Sequence, residues 1–388
     1  MTALSSEQRA QVERAGLNGV RVERLLARAR EEVDAGLLPA VQVAVARHGE
    51  VVLSETYGAA EPSSLFCIFS ATKAITSAAA WLLLQDGRLA LEEKVADVIP
   101  EFASNGKDAV SVEQLFTHTA GFPAAPFRPL DWNDPARRRE RFAQWRLTWP
   151  PGSRYEYHPT ATMWVIAELI ERRSGEDFRE FVRQRIVQPL GLESFFVGLP
   201  EAENARAVPC AHAGDALTSA DYQRLGLPEP PVTEVTEEAI LNFNRPEIRA
   251  VGVPGGGGFV SAPDLALFYQ ALLHGGLAGT RLWQPETLAA ARRIRTGDLR
   301  DPLYRKLANR GLGIIIAGDA DRTYRGFGHG NSPETFGHNG AGGQLAWVDP
   351  ASGLSLAYLT SGHDRNVVRQ GRRGVAIGSL AAELCEGV

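Results

Sequence analysis

Cysteine is scarce in this chain of 388 residues, which has only Cys67, Cys210 and Cys385. Three cysteines cannot build a disulfide framework, and the odd number leaves one unpaired. The sequence also contains no C-x-x-C pair and no Cys/His spacing of the kind found in zinc sites. It therefore predicts a protein of a reducing compartment that uses neither a metal ion nor another cofactor.

Long hydrophobic runs are also absent. The opening residues, MTALSSEQRAQVERAG, contain no apolar stretch of the length found in signal peptides. Nowhere does the chain contain the stretch of about 18 apolar residues that a transmembrane helix needs. We therefore expect a soluble, cytoplasmic protein that has no membrane partner.

The charge is mildly acidic, with a formal net charge of -5 and a pI near 6.0. This balance gives no general electrostatic footprint for nucleic acid, so we expect no nucleic-acid partner. The basic run Arg137–Arg139 is most simply the solvated face of a helix. Lysine is rare among the 41 basic residues, which makes each lysine more informative than usual; the four are Lys73, Lys94, Lys107 and Lys306.

The remaining composition, with 44% hydrophobic and 22% charged residues, is that of an ordinary globular protein. The length suggests two domains, or one large domain with an insertion. Residue patterns predict helices over 18–36, 71–85, 264–276 and 366–386. They also predict a hairpin over 41–58 around His48-Gly49, and strands over 312–317, 344–349 and 354–360.

These elements predict an α+β fold in which an antiparallel sheet is assembled from both chain ends and flanked by helices. Residues 1–86 and 251–388 would form this α/β domain. Residues 87–250 contain short helical pieces and few recognisable strands, and 204–236 is especially loop-like. We predict that this middle part is a mostly helical insertion.

A nucleophilic serine requires a nearby base and hydrogen-bond donors for the oxyanion. The lipase elbow G-x-S-x-G does not occur, but Ser-x-x-Lys occurs at Ser70–Lys73 and at Ser104–Lys107. On a helix, residues three apart share a face, so Lys73 can reach Ser70. Ser104 lies instead in a polar Asn-Gly turn, and its match is interpreted as chance.

Ser70 alone is open to a second interpretation, because serine is a common helix N-cap. Lys73 would act as a base only when neutral, which requires a pKa far below its ordinary value of about 10.4. Burial and a neighbouring cation both act in that direction.

Further motifs resemble those of the serine β-lactamase and penicillin-binding protein superfamily, in its class C-like branch. They run in the expected order over most of the chain. The resembling segments are Ser70-Ala71-Thr72-Lys73, LFTHTAGF at 115–122, PGSRYEY at 151–157, GGGFVS at 256–261 with Asp264, and GHNGAGG at 337–343.

This resemblance implies the β-lactamase/transpeptidase-like fold and a catalytic set of Ser70, Lys73 and Tyr157. It further implies an oxyanion hole made by the backbone N–H groups of Ser70 and Ala341. Ser70 would attack the substrate, with Lys73 and Tyr157 sharing the role of base, and water would then release the acyl group.

Two departures from the family's motifs bear on the substrate. The second motif reads Tyr157-His158-Pro159 without the usual asparagine, and the third has His338 in place of lysine. Both departures resemble the family VIII carboxylesterases. They imply a small-molecule ester as substrate, with contacts from three third-motif residues, His338, Asn339 and Gly340.

Other activities of the same scaffold remain as alternatives. They are a β-lactamase or D-Ala-D-Ala carboxypeptidase, a metabolite transacylase or amidase, and a non-catalytic scaffold homologue. The segment Glu238–Asn242 matches the E-x-x-L-N signature of class A β-lactamases. It lies far downstream of Tyr157, however, and we interpret it as a helical piece near the pocket rim.

Overall fold

The computed structural model describes residues 3–229 and 235–385. The α-helices are α1 (Ser6–Arg14), α2 (Gly19–Asp34), α3 (Thr72–Gln85), α4 (Val95–Val98), α5 (Val112–Phe116), α6 (Pro135–Gln144), α7 (Ala161–Ser174), α8 (Phe178–Val182), α9 (Gln188–Leu190), α10 (Ser219–Leu225), α11 (Glu237–Leu241), α12 (Pro246–Val251), α13 (Ala262–His274), α14 (Pro285–Arg292) and α15 (Val367–Ala382).

The strands belong to one large sheet and three small ones. They are β1 (Ala40–Arg47), β2 (Glu50–Gly58), β3 (Phe66–Cys67), β4 (Phe195–Val197), β5 (Ala211–Ala213), β6 (Gly258–Val260), β7 (Gly276–Leu277), β8 (Thr280–Arg281), β9 (Ile315–Ile316), β10 (Phe336–Asn339), β11 (Leu345–Asp349), β12 (Leu354–Thr360) and β13 (Gly362–Asp364).

The large sheet has six strands in the order β2-β1-β12-β11-β10-β9, and every neighbouring pair is antiparallel. Its centre joins the two ends of the chain, because β1 pairs with β12 in a register that places Val41 opposite Thr360. The predicted α+β fold, with a sheet built from both chain ends, is therefore confirmed.

Both faces of this sheet are buried, and the alternation of side chains along β1 separates them. Val41, Val43 and Val45 pack into one cluster with residues of α2 and α15. Ala44 and Ala46 belong to the other cluster, which contains α3 and α13. Small alanines on this second face leave room for two helices to lie against the sheet.

An ion pair is buried where α15, α2 and β13 meet. Arg373 is 1% exposed, and its Nη1 lies 3.1 Å from Glu32 Oε2 and 3.0 Å from Asp364 Oδ2. Burial opposes ionisation of Asp364, but Arg369, the Asn366 N–H group and Arg373 together hold its pKa below the ordinary value. Removing the arginine would take one cation from two buried carboxylates, which would keep only Arg28 beside Glu32 and Arg369 beside Asp364.

We expect Arg373→Met to lower the free energy of unfolding by about 2–3 kcal/mol in urea denaturation at pH 7, because two charge-assisted hydrogen bonds in the interior are lost. The matched control is Arg30→Met, which removes an exposed pair with Asp34 at 3.1 Å. That control should change the free energy of unfolding by less than about 1 kcal/mol. Equal effects of the two substitutions would contradict the prediction.

Most elements near the chain ends agree with the sequence prediction. The hairpin is confirmed, and its turn residues His48 and Gly49 both have positive φ, at 56° and 79°. The strand predicted over 312–317 is reduced to β9, and β10 was not predicted as a strand. Its glycine, histidine and asparagine lack the alternation of apolar residues on which strand prediction depends.

The middle of the chain, between residues 87 and 251, contributes α4–α12 together with β4 and β5. The loop-like stretch 204–236 contains β5 and α10, and its residues 230–234 lie outside the described part. Core residues of α3 and α7 belong to one hydrophobic cluster. The division into domains at residues 86 and 251 stays a prediction.

No helix in residues 3–229 or 235–385 is both long enough and apolar enough to cross a membrane. The predicted solvated face of the Arg137–Arg139 run is only partly right. Arg137 and Arg139 are largely exposed, whereas Arg138 is 12% exposed and lies 3.0 Å from Glu168 and 2.6 Å from Glu171.

Candidate active site

Ser70 lies in a tight turn ahead of α3. The turn is a 3-10 segment, Phe69–Ala71, and Phe69 has a φ of 43°, in the left-handed region that a bulky residue rarely adopts. The N-cap position of α3 is Ala71, so Ser70 does not cap this helix. Its hydroxyl instead faces two polar side chains, and the N-cap interpretation is wrong.

Lys73 is the first of these side chains and is fully buried. Its Nζ lies 3.1 Å from Ser70 Oγ and donates to the carbonyl oxygens of Pro159, at 2.6 Å, and Gly255, at 2.9 Å. Pro159 stands where the resembling motif has asparagine. Its backbone carbonyl oxygen, not a side-chain amide, contacts the Lys73 amine. With two N–H bonds directed to carbonyls, a neutral amine keeps its lone pair for the direction of Ser70.

Tyr157 is the second, and its hydroxyl oxygen lies 2.9 Å from Ser70 Oγ. Burial alone would raise the pKa of this phenol. The charge of Lys73 and the hydrogen bonds with Ser70 and Lys73 outweigh burial, with a further contribution from Arg310, and the pKa is lowered from its ordinary value. A tyrosine whose anion is stabilised in this way is suited to accept a proton from the adjacent serine.

Three buried histidines surround Tyr157 and are neutral at physiological pH. Burial lowers the pKa of His118 and His338 well below the ordinary value, and the charges of Arg310 and Lys73 act in the same direction. Burial lowers the pKa of His158 to about 3. The His118 ring centroid lies 4.7 Å from that of Tyr157, so His118 packs against the tyrosine.

The third motif lies against the nucleophile turn. A Cβ atom at Gly340 would come within 2.5 Å of the Ile68 carbonyl oxygen, so only glycine permits this close approach. Gln344 holds the loop by accepting from Gly342 N–H at 2.9 Å and donating to Thr360 O at 2.8 Å. The oxyanion hole expected from the N–H groups of Ser70 and Ala341 stays a prediction.

The two third-motif side chains predicted to bind substrate point to different partners. His338 is 3% exposed, and its ring centroid lies 6.3 Å from that of Tyr157. Asn339 donates from Nδ2 to the Arg325 carbonyl oxygen at 2.9 Å. Of the two side chains, His338 is therefore the one beside Tyr157.

The second Ser-x-x-Lys match is structurally distinct from the first. Lys107 is buried, which differs from the polar turn that the sequence suggested, and its Nζ donates to Ser104 O and Trp145 O, both at 2.6 Å. Burial, helped by the charge of Arg146, lowers the pKa of Lys107 to about 8. The Ser104 hydroxyl donates to Ala143 O at 2.6 Å, so this lysine ties two loops together.

Two other segments singled out in the sequence lie near the turn of Ser70. Glu238 belongs to α11, and Phe243, just after that helix, meets the Phe69 ring edge-on at 5.5 Å. Cys67 is buried, and its thiol donates to Gly256 O at 3.6 Å. In residues 3–229 and 235–385, no group of three His, Cys, Asp or Glu side chains is arranged to hold a metal ion.

Arg310 is the residue at this site that sequence reasoning missed. Its guanidinium donates to the Tyr155 hydroxyl oxygen from Nε at 3.1 Å and from Nη2 at 2.7 Å. The same group lies 5.3 Å from the centroid of the Tyr157 ring. No motif contains this arginine, and only the folded chain brings it to the site.

Comparison with known proteins gives one consistent result. The profile of the Beta-lactamase family matches residues 25–378. A penicillin-binding protein homologue from Caulobacter crescentus is 30% identical, with a TM-score of 0.77 over 95% of this chain and 99% of its own. The esterase/β-lactamase LipL from Mycobacterium tuberculosis is 27% identical over 313 residues, 75% of this chain and 68% of LipL.

A solved family VIII carboxylesterase is also similar in structure. Its TM-score is 0.76, covering 94% of this chain and 98% of its own, at 24% sequence identity. At that identity the likeness concerns the fold.

Proposed function

Because the chain belongs to the Beta-lactamase family, whose fold supports serine hydrolase chemistry, we propose that it is a carboxylesterase cleaving short-acyl esters through Ser70. The observation that supports this proposal is that His338, whose pKa is lowered, lies beside the cluster of Ser70, Lys73 and Tyr157. A lysine at the position of His338 would attract the carboxylate of a β-lactam or peptide. A neutral imidazole in a buried wall favours an uncharged ester instead.

The proposed reaction begins with attack of Ser70 Oγ on the ester carbonyl carbon. The serine proton passes to Tyr157 or Lys73, which lie 2.9 Å and 3.1 Å from Oγ. The N–H groups of Ser70 and Ala341 hold the resulting oxyanion. The C–O bond then breaks, the alcohol leaves with that proton, and the acyl group remains on Ser70.

Deacylation repeats the sequence with water as the nucleophile. The Tyr157/Lys73 pair accepts a proton from water, the hydroxide attacks the acyl carbon, and the proton returns to Ser70 as the acid is released. No other group is needed for proton balance, because the pair takes up and gives back one proton in each half-reaction.

The test compares three substrates at equal enzyme concentration: p-nitrophenyl butyrate, a chromogenic cephalosporin, and a peptide ending in D-Ala-D-Ala. We expect kcat/KM for the ester to exceed that for the cephalosporin by at least about 100-fold. Preferential release of D-alanine from the peptide would replace the esterase with a peptidase. Preferential turnover of the cephalosporin would replace it with a β-lactamase.

A further inference from the structure

Arg310 is held in one orientation beside the candidate active site. Its backbone N–H donates to Thr296 Oγ1 at 3.1 Å, and its carbonyl accepts from Arg295 N–H at 2.8 Å. The side chain directs Nε and Nη2 at the Tyr155 hydroxyl, as described above. Its guanidinium carbon lies 5.5 Å from the Tyr155 ring centroid and 5.3 Å from that of Tyr157.

The charge of Arg310 has no counter-ion at close range. No carboxylate of the described residues lies within 4.0 Å of its guanidinium. Tyr155 does not neutralise it, because burial raises the pKa of that phenol to about 12 and keeps it protonated. The positive charge therefore acts on the groups around it, in a region of low dielectric where such effects are strong.

Tyr157 lies near Arg310 and within hydrogen-bond distance of Ser70, and a nearby cation stabilises its anionic form. Burial and the charges of Arg310 and Lys73 hold the pKa of His118 and of His338 well below its ordinary value, so a cation does not favour a charged form of either histidine. Lys73 faces Tyr157 from α3, and its charge adds to that of Arg310. Among the described residues, the titratable or charged groups around this tyrosine and its neighbour Tyr155 include Lys73, His118, His158, Asp301, Arg310 and His338.

We propose that Arg310 is a positioning residue for Tyr157: clamped by the Tyr155 hydroxyl, its guanidinium packs on the Tyr157 ring and stabilises the phenolate that takes the Ser70 proton. This inference rests on the proposed function, since it assigns Arg310 to the proton transfer of that reaction. The arginine contacts neither Ser70 nor the oxyanion-forming N–H groups. It acts through the tyrosine alone.

The test follows the reaction of Ser70 with a fluorophosphonate probe between pH 5.5 and 9.5, which requires no knowledge of the natural ester. Loss of a cation raises the pKa of a nearby phenol, so the acid limb of the rate profile should move to higher pH. For Arg310→Met we expect an upward shift of about one pH unit. On the acid limb the phosphonylation rate at a given pH should then fall about ten-fold, because each pH unit below the pKa of the phenol changes the phenolate fraction about ten-fold.

Matched variants separate charge from packing. Arg310→Lys keeps a cation but loses the two hydrogen bonds that fix the guanidinium on Tyr155, so it should shift the limb less than methionine does. Arg310→Gln serves as a second neutral variant if the methionine protein does not fold. Arg292→Met is the control, because Arg292 is also stacked on an aromatic ring, Phe336 at 4.9 Å, and lies away from Tyr157. It should not move the limb.

Several outcomes would overturn the proposal. An unshifted limb in a folded Arg310→Met or Arg310→Gln protein would reduce the arginine to a packing role. A lysine variant that shifts the limb as much as methionine would exclude a charge effect. A wild-type protein that the probe labels without ester turnover would end the esterase proposal alone, whereas a protein that the probe does not label would end both.

Discussion

Replacement of Ser70 by alanine is expected to lower kcat for p-nitrophenyl butyrate by at least about 10⁴-fold. The substitution removes the hydroxyl oxygen that lies within hydrogen-bond distance of both Lys73 Nζ and Tyr157 OH. Thermal stability should be retained, because the Ser70 side chain does not cap α3. Initial rates and the unfolding temperature, measured on the same preparation, check both statements.

Ser104 provides a matched control for this substitution. It opens the other Ser-x-x-Lys sequence, and its hydroxyl donates to Ala143 O at 2.6 Å and accepts from Lys107 Nζ at 3.2 Å, with no contact to Tyr157. Ser104→Ala should keep kcat within about two-fold of wild type, as expected for a residue remote from the chemistry. Full ester activity in the Ser70 variant would overturn the proposed nucleophile.

The second large effect is expected at the two lysines. Lys73→Met should reduce kcat by about 10³-fold or more, because the amine that contacts Ser70 and stabilises the Tyr157 phenolate is lost. Lys107→Met should leave kcat nearly unchanged. It should instead lower the free energy of unfolding by about 2–4 kcal/mol, since the carbonyls of Ser104 and Trp145 lose a charged donor in the interior.

Steady-state kinetics and urea denaturation of both lysine variants test whether Lys73 acts on activity and Lys107 on stability. The Lys73 variant needs a native circular dichroism spectrum for its rate to be interpreted. Activity lost in the Lys107 variant at temperatures where it remains folded would contradict the assignment of these two lysines. So would a Lys73 variant that still hydrolyses the ester at the wild-type rate.

Local patterns in the sequence were sufficient for much of the fold. The apolar run predicts α3, and the alternating residues predict β1 and β2. Each element can be predicted from its own residues, because helices and strands repeat with different periods. Ser70 and Lys73 followed from the three-residue spacing on a helix. Tyr157 did not follow from spacing, since 87 residues separate it from Ser70; only resemblance to a family brought it forward.

Contacts between residues far apart in the chain could not be predicted from local sequence patterns. Arg310 reaches Tyr157 across a separation of more than one hundred residues, and it sits in a segment without recognisable chemistry. Lys107 appeared to lie in an exposed turn, although the folded chain buries it against Trp145. The strand β10 lacks apolar alternation. It is a strand because it pairs with β9 and β11, and those pairings cannot be read from its own residues.

The pairing of β1 with β12 has a consequence for how the protein is made. A hydrogen bond from Ser355 Oγ to Ala46 O joins atoms 309 residues apart in the chain. At about 5–20 residues per second, a ribosome needs roughly 15–60 s to synthesise the intervening segment. During that time the β1–β2 hairpin has an unpaired apolar edge, which is prone to intermolecular pairing. Lower growth temperatures or chaperone supply should therefore raise the yield of native protein more than any change in buffer.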